Sequence, residues 1–223
     1  MQMRNLIKEK IAANGYAVGA FVASSSATNC EILAMNGYDF VIIDCEHAQT
    51  DSETAVNMFR ACEMYGMAPM VRVYNPYDGP MMSRLLDVGA HGIMVPLVND
   101  GAQAKNIVDS TKYAPVGRRG ANGGRGPRWG AYDDYVKVCN DNTLTFVQCE
   151  SIEGVNNIEE IAALPGVDGV FIGTGDLSLE MGIKFKADSS SNHTVDSPEM
   201  VAAIDKILQA CLKNKKIPGI VTA

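Results

Sequence analysis

Seven short apolar segments, separated by longer amphipathic ones, constrain the fold of this 223-residue chain more than any other feature. The apolar segments are rich in β-branched and aromatic residues and nearly continuous, which is typical of strands buried on both faces of a parallel sheet. They cover residues 16–23, 40–47, 69–74, 92–98, 143–150, 168–173 and 217–221. The intervening segments have helical spacing and predict helices over 52–66, 79–90, 101–115, 151–166 and 197–216.

This alternation predicts an α/β fold, either a (β/α)₈ TIM barrel or an open doubly wound sheet. No G-x-G-x-x-G motif follows the first strand, which disfavours a dinucleotide-binding open sheet. A closed barrel needs eight strands, and the seventh predicted strand ends at residue 221. We therefore expect a single-domain (β/α)₈ barrel over 1–223 that lacks the last strand and helix in this chain; the other explanation is one misassigned strand.

Charge and cysteine usage exclude several classes of protein. The formal net charge of -7 disfavours a nucleic-acid binder, which needs a basic surface. The six cysteines form no CxxC pair, so we expect free thiols and a reducing cytoplasm. The N-terminus lacks the apolar stretch of a signal peptide, and no window is long enough for a membrane span. We expect a soluble, cytoplasmic protein.

Ionisable residues follow four of the predicted strands where each strand ends. In a (β/α)₈ barrel, the active site lies at the carboxyl ends of the strands. Charged groups at the end of a buried strand are costly unless they are paired or bind an ion. The sequence therefore predicts a functional cluster at this end. Its members are Asp44, Glu46, His47, Arg72, Glu150 and Asp176.

The two carboxylates Glu150 and Asp176 are the candidate metal ligands. Hard divalent cations take oxygen ligands, commonly one or two carboxylates completed by water and substrate. Each residue also has a purely structural interpretation, because Glu150 could cap the helix that starts at residue 151, and Asp176 could cap a short turn over 177–181.

His47 and Arg72 are the candidate catalytic side chains. An imidazole titrates near neutrality, so His47 is a candidate general base, and Asp44 could hold its tautomer by a hydrogen bond. Arg72 keeps its charge inside a predicted buried strand and needs an anion, either a protein carboxylate such as Glu46 or Glu150 or a substrate carboxylate or enolate. We assign His91 and His193 structural roles.

The segment 117–130 contains four arginines and six glycines. Glycine allows backbone amides to approach an anion closely, but the spacing does not match a phosphate-binding P-loop. Two interpretations stay open: a flexible solvated loop, or a lid or wall that admits an anionic substrate.

Six motifs, in order along the chain, make the sequence resemble the HpcH/HpaI aldolase family. They are GYDFVIIDCEHAQTD, PMVRV, LLDVGAHGIMVPLV, YAPVGRRG, FVQCES and GVDGVFIGTGDLS. The resemblance runs from about residue 16 to residue 221 and implies a (β/α)₈ barrel, usually assembled as a hexamer. It also implies a divalent metal cation (Mg²⁺, Mn²⁺ or Co²⁺) rather than a Schiff-base lysine. We expect a homo-oligomer, hexamer or trimer, with no nucleic-acid or membrane partner.

The resemblance carries roles to individual residues. It places the metal on Glu150 and Asp176, the base on His47 supported by Asp44, and pyruvate binding on Arg72. The remaining pyruvate-binding positions that it implies are Gln148 and the backbone around Gly173 and Thr174. The sequence departs from the family pattern at Thr174, where proline is usual, and in the Gly/Arg-rich loop, which leaves the aldehyde open.

The expected reaction is reversible cleavage of a 4-hydroxy-2-oxo acid to pyruvate and an aldehyde through a pyruvate enolate. Two alternatives stay open. One is an acyl-CoA lyase or decarboxylase on the same barrel, with the arginines at 118–128 binding the CoA phosphates. The other is a non-catalytic barrel homologue.

Overall fold

The computed structural model describes residues 1–183 and 196–221. Seven parallel strands form one sheet whose spatial order follows the chain. The strands are β1 (Gly19–Val22), β2 (Phe40–Asp44), β3 (Ala68–Arg72), β4 (Gly92–Val95), β5 (Leu144–Cys149), β6 (Gly169–Ile172) and β7 (Ile217–Ile220). Each strand overlaps one of the seven predicted apolar segments, so the predicted parallel α/β architecture is confirmed.

Helices connect the strands in sequence. They are α1 (Leu6–Asn14), α2 (Ala27–Met35), α3 (Ser52–Met64), α4 (Gly79–Asp87), α5 (Gly101–Thr111), α6 (Tyr135–Asn142), α7 (Ile152–Asn156), α8 (Ile158–Ala163), α9 (Thr174–Glu180) and α10 (Pro198–Lys213), with a 3₁₀ turn at Arg128–Gly130. Side-chain oxygens of Asp51, Asp78, Asp100 and Ser197 accept backbone N–H bonds at the starts of α3, α4, α5 and α10. These caps satisfy amides that a helix leaves unpaired at its N-terminus.

The five predicted helices are present, with 151–166 divided into α7 and α8. The five predicted helices did not include α1, α2, α6 or α9. In α2 the apolar side chains are not confined to one face: Cys30 is buried, whereas Ile32 and Met35 are exposed. A helix without an apolar stripe gives a weak periodic signal.

The two faces of the sheet bury different side chains. The outer face, which includes Val41, Ile43 and Val71, packs in one core with the surrounding helices. The inner face carries a second core with members on β2 to β6 and on α1. Its buried members are Ile7, Ile42, Ala68, Met70, Met94, Leu144, Phe146 and Phe171. Alternation of side chains along each strand separates the two cores.

The sheet is strongly curled. Phe21 on β1 and Phe171 on β6 are five strands apart in the sheet, yet their ring centroids are 5.8 Å apart in an edge-to-face contact. Among residues 1–183 and 196–221, β1 and β7 each pair with one neighbour and not with each other. The structure thus contains a curled seven-stranded parallel sheet.

All six cysteines are buried free thiols, as predicted. Within the described part of the chain, no helix has the length and apolar character needed to cross a membrane.

Candidate functional site

The predicted site residues lie at the carboxyl ends of the strands, on the inner face of the curled sheet. The period of two that turns Ile42 and Met70 inward also turns Asp44 and Arg72 inward, one layer closer to the end. Asp44 and Arg72 are direct partners in the β2–β3 register. Gln148 has the same place on β5, one layer beyond Phe146. Three polar side chains, those of Asp44, Arg72 and Gln148, therefore lie in one layer above the apolar layer of the inner face.

Asp44 and Arg72 form a buried, two-pronged ion pair. Arg72 donates from Nε to Asp44 Oδ1 at 3.0 Å and from Nη2 to Oδ2 at 2.8 Å. Its Nη1 lies 3.1 Å from Glu46 Oε2, and its guanidinium carbon lies 4.9 Å from the centre of the Phe21 ring. Burial by itself would raise the pKa of Asp44, but the hydrogen bonds and charge of Arg72 outweigh it and lower that pKa. The anion that Arg72 needs is supplied by Asp44 together with Glu46.

The structure differs from the expected hydrogen bond between Asp44 and the His47 imidazole. Asp44 instead accepts the backbone N–H groups of Glu46 at 3.0 Å and His47 at 3.4 Å, which closes a tight turn after β2. The imidazole Nε2 of His47 lies 3.6 Å from Glu46 Oε2, and 66% of the side chain is exposed. The Asp44 carboxylate pairs with Arg72 rather than with the His47 imidazole, because two charge-assisted hydrogen bonds are stronger than one bond to a neutral imidazole.

Glu150 is a second buried carboxylate of the site. Its Oε1 accepts the backbone N–H of Leu97 at 2.8 Å, and its Oε2 accepts from the Gln148 side-chain amide. Burial raises the pKa of Glu150 to about 7, and the negative charges of Asp176 and Glu46 act in the same direction. Glu150 does not cap the following helix, because Ser151 Oγ accepts the Gly154 N–H at the start of α7.

Gly173 allows the strand β6 backbone to approach Glu150. A Cβ atom at this position would lie 2.4 Å from both Cβ and Oε2 of Glu150 and 3.1 Å from Gln148 Nε2. Any side chain there would displace the buried carboxylate.

Helix α9 begins at Thr174, earlier than the predicted turn over 177–181. Asp176 is exposed and lies in the first turn of this helix, so it does not cap the helix.

A cleft of about 360 Å³ opens beside these residues. Its lining residues are Glu46, His47, Leu97, Glu150, Ser151, Asp176, Leu179 and Glu180. Arg72, Gln148 and Gly173 lie against Glu46 or Glu150 and, like the buried Thr174, are not part of this lining. Sequence reasoning missed Leu97 and Glu180. Leu97 lies two residues beyond the end of β4 and could have been predicted from its place at a strand end, but only ionisable residues were considered there.

The donor set fits a hard divalent cation. Glu150 and Asp176 supply carboxylate oxygens, and the buried Oε1 of Gln148 has no hydrogen-bond partner. Across the described ranges, no cluster of three or more His, Cys, Asp or Glu side chains forms a complete metal cage. Two carboxylates in an open cleft are typical of Mg²⁺-like sites, where water and substrate complete the shell.

The Gly/Arg-rich loop lies at the opposite end of the sheet. Buried Arg119 pairs with Asp87 at 2.7 Å, and buried Arg125 pairs with Glu63 at 2.7 Å. Asp87 and Glu63 lie at or next to the C-terminal ends of the helices that lead into β4 and β3, so they mark the amino end of the strands. The lid interpretation is therefore wrong, and so is a fully solvated loop. Arg119 and Arg125, paired in this way, are not available to bind the CoA phosphates that the acyl-CoA alternative needed.

His91 lies apart from the site. His91 precedes β4 at the amino end, where burial lowers its pKa to about 4. His193 lies outside the described residues.

Comparison with known proteins places the chain among aldolases. The sequence model for HpcH/HpaI aldolase/citrate lyase matches residues 17–221. The hydroxypyruvate/pyruvate aldolase of Chromohalobacter salexigens is 38% identical over 91% of this chain and 77% of its own length. The 4-hydroxy-2-oxo-heptane-1,7-dioate aldolase of Salmonella paratyphi A is 34% identical over 99% of this chain and 81% of its own length. The crystal structure of an HpcH/HpaI aldolase from Desulfitobacterium hafniense DCB-2 superposes with a TM-score of 0.88 at 28% identity, covering 99% of this chain and 82% of that one.

Proposed function

Because the chain belongs to the HpcH/HpaI aldolase/citrate lyase family, we propose that it reversibly cleaves a 4-hydroxy-2-oxo acid to pyruvate and an aldehyde. The observation that carries the proposal is the position of the Arg72 guanidinium, which Asp44 holds beneath a cleft lined by Glu150. A positive charge beside a carboxylate pair suits a reaction in which negative charge develops on substrate oxygens.

Glu150 and Asp176 would hold the divalent cation, either Mg²⁺, Mn²⁺ or Co²⁺. The raised pKa of Glu150 supports this role, because burial and two neighbouring carboxylates leave its charge under-compensated. The chemistry that a divalent cation supplies when bound is stabilisation of negative charge on the substrate carboxylate and 2-keto oxygens.

The side chains of this chain position the pyruvate half of the substrate. Arg72 places a permanent positive charge near the developing enolate oxygen, and Asp44 holds the guanidinium plane by two bonds. The Gln148 amide and the backbone at Gly173 and Thr174 are the proposed contacts of the pyruvate carboxylate. The close approach of Gly173 to Glu150 and Gln148 supports that placement.

His47 is the proposed general base for the 4-hydroxyl group. It lines the cleft with an exposed imidazole whose Nε2 lies 3.6 Å from Glu46 Oε2, within reach of a substrate hydroxyl bound there. In the cleavage direction the 4-hydroxyl proton passes to His47, and the C3–C4 bond breaks. Its electron pair enters the enolate, which becomes pyruvate when C3 is protonated.

We propose a closed, single-domain (β/α)₈ barrel for the complete fold. The contact between β1 and β6 side chains supports closure, because it shows that the sheet already curls around its inner core. A homo-oligomer, hexamer or trimer, is a further proposal that comes from the family resemblance. A cytoplasmic location is another, and it is supported by the six free cysteines.

Proton exchange of pyruvate in D₂O, followed by NMR, tests the proposed function without knowledge of the aldehyde. We expect the methyl signal to decay when Mg²⁺, Mn²⁺ or Co²⁺ is added and to persist in EDTA. Asp176→Asn should abolish this exchange. Asp133→Asn is the matched control, because the Asp133 side chain is 87% exposed and, among the described residues, forms its ion pair with the N-terminal amine. A folded protein that exchanges no proton with any of these cations would contradict the assignment.

A further inference from the structure

We propose that the aldehyde partner is uncharged, and that Glu180 selects against aldehydes that carry a second carboxylate. This inference rests on the proposed function, since it assigns the part of the cleft that the pyruvate half does not occupy. The wall that carries it consists of Leu97, Leu179 and Glu180, all of which line the cleft.

The apolar part of this wall is exposed to solvent, and the backbone of one of its two leucines is held by a hydrogen bond. Leu97 is 45% exposed and Leu179 is 59% exposed, although both are large apolar side chains. Leu97 adopts a left-handed backbone with φ of 54°, which is uncommon for a residue other than glycine. Its N–H donates to Glu150 at 2.8 Å, so the strained turn ties the leucine to the buried carboxylate. An alkyl portion of a substrate gains by covering these two leucines.

The charged part of the wall is negative. The cleft lining contains four carboxylates, Glu46, Glu150, Asp176 and Glu180, and His47 is its one basic residue among the described positions. A divalent cation would compensate Glu150 and Asp176, and Arg72 lies 3.1 Å from Glu46. Glu180 is left without a cationic partner among the described residues.

Glu180 is fixed at the cleft by a backbone contact. Its Oε2 accepts the N–H of Ile152 at 2.8 Å, which joins the end of α9 to the first turn of α7. This hydrogen bond holds the carboxylate beside the start of α7, where it lines the cleft. A like charge placed opposite a fixed carboxylate is disfavoured, and this is a common device for rejecting the wrong partner.

In the condensation direction the pyruvate methyl group loses one proton to give the enolate. C3 of the enolate then bonds to the aldehyde carbon, the carbonyl π bond breaks, and the aldehyde oxygen takes a proton to become the 4-hydroxyl. The two substrates together contain all atoms of the product. The substituent on the aldehyde carbon takes no part in this step, so its charge affects binding and orientation only.

The test compares succinic semialdehyde with its methyl ester, which share a carbon chain and differ in charge. We expect kcat/KM for condensation with pyruvate to be at least about fivefold higher for the ester. This is the ratio that corresponds to the repulsion between two like charges about 4 Å apart in water. Glu180→Gln should reduce this ratio toward one. Glu159→Gln should leave it unchanged, because Glu159 pairs with Lys213 on the outer helices.

The outcomes separate this inference from the proposed function. Equal or faster use of the semialdehyde, or a ratio that Glu180→Gln leaves unchanged, overturns the role of Glu180 while pyruvate proton exchange persists. Proton exchange without condensation of either aldehyde overturns the assignment of the acceptor wall. Absence of proton exchange overturns the proposed function and this inference with it.

Discussion

Glu150→Gln should stabilise the metal-free protein at pH 8, although it removes a residue of the proposed metal site. Burial, with the charges of Asp176 and Glu46, raises the pKa of Glu150 from its ordinary 4.5 to about 7. Because the folded-state pKa is raised, the contribution of Glu150 to stability is fully present below the unfolded-state value. That contribution is lost as the pH rises through about 7.

The difference between the two pKa values corresponds to about 3 kcal/mol of unfolding free energy lost at pH 8. Glutamine keeps the shape of the side chain without the charge. Its carbonyl oxygen can accept the Leu97 N–H, and Gln148 can rotate its unpartnered Oε1 toward the new amide. In a protein of this size about 1 kcal/mol shifts the melting temperature by roughly 2–4 °C, so we expect a gain of about 6–12 °C.

The assay is thermal unfolding in EDTA at pH 5 and pH 8, followed by circular dichroism. Wild type should lose stability between the two pH values, and Glu150→Gln should lose much less, with the two proteins nearly equal at pH 5. Glu159→Gln serves as control, since its partner Lys213 is exposed and its loss costs little. An equal gain for Glu150→Gln at both pH values would refute the reasoning, because the benefit would then not depend on ionisation.

Three further outcomes follow from individual contacts. Asp44→Asn should lower the unfolding free energy in urea by about 3 kcal/mol, because it breaks the buried pair with Arg72, whereas Asp133→Asn should not. Arg72→Lys should slow pyruvate proton exchange, measured by NMR, about 100-fold, because an ammonium group cannot form the two parallel bonds that orient the charge. Borohydride with pyruvate should leave the mass of the protein unchanged, because no lysine is among the described residues that line the cleft; a trapped adduct would contradict a metal-dependent mechanism.

The strands and their order along the chain were predictable because burial on both faces leaves a continuous apolar signal. The ion pair of Asp44 with Arg72 was also within reach. Both residues are two positions beyond an inward apolar residue, Ile42 and Met70, on strands that are consecutive in the chain. The prediction instead assigned Asp44 to His47, the nearer residue in sequence. Register partners on adjacent strands lie closer together than side chains three residues apart in a turn, so Arg72 rather than His47 was the expected partner of Asp44.

The loop at 117–130 shows where composition misleads. Glycine and arginine together suggested a mobile, anion-binding segment, yet Arg119 and Arg125 are buried against carboxylates of α4 and α3. Which carboxylates a loop meets depends on how three helices pack at one end of the sheet. The spacing of residues within the loop does not reveal these partners. In the same way, the sequence does not reveal the hydrogen bond between Ile152 in α7 and Glu180 in α9.

Asp44 and Glu150 show that chemically similar carboxylates in one site acquire opposite properties from their neighbours. Asp44 has its pKa lowered, because two bonds from Arg72 outweigh its burial, whereas the pKa of Glu150 is raised by burial and two like charges. The charge of Arg72 is therefore constant over the working pH range, while the capacity of Glu150 to bind a cation increases as the pH rises through about 7. It follows that the pH dependence of the proposed enolate formation should track cation occupancy rather than the ion pair, and that a higher cation concentration should shift the rising limb to lower pH.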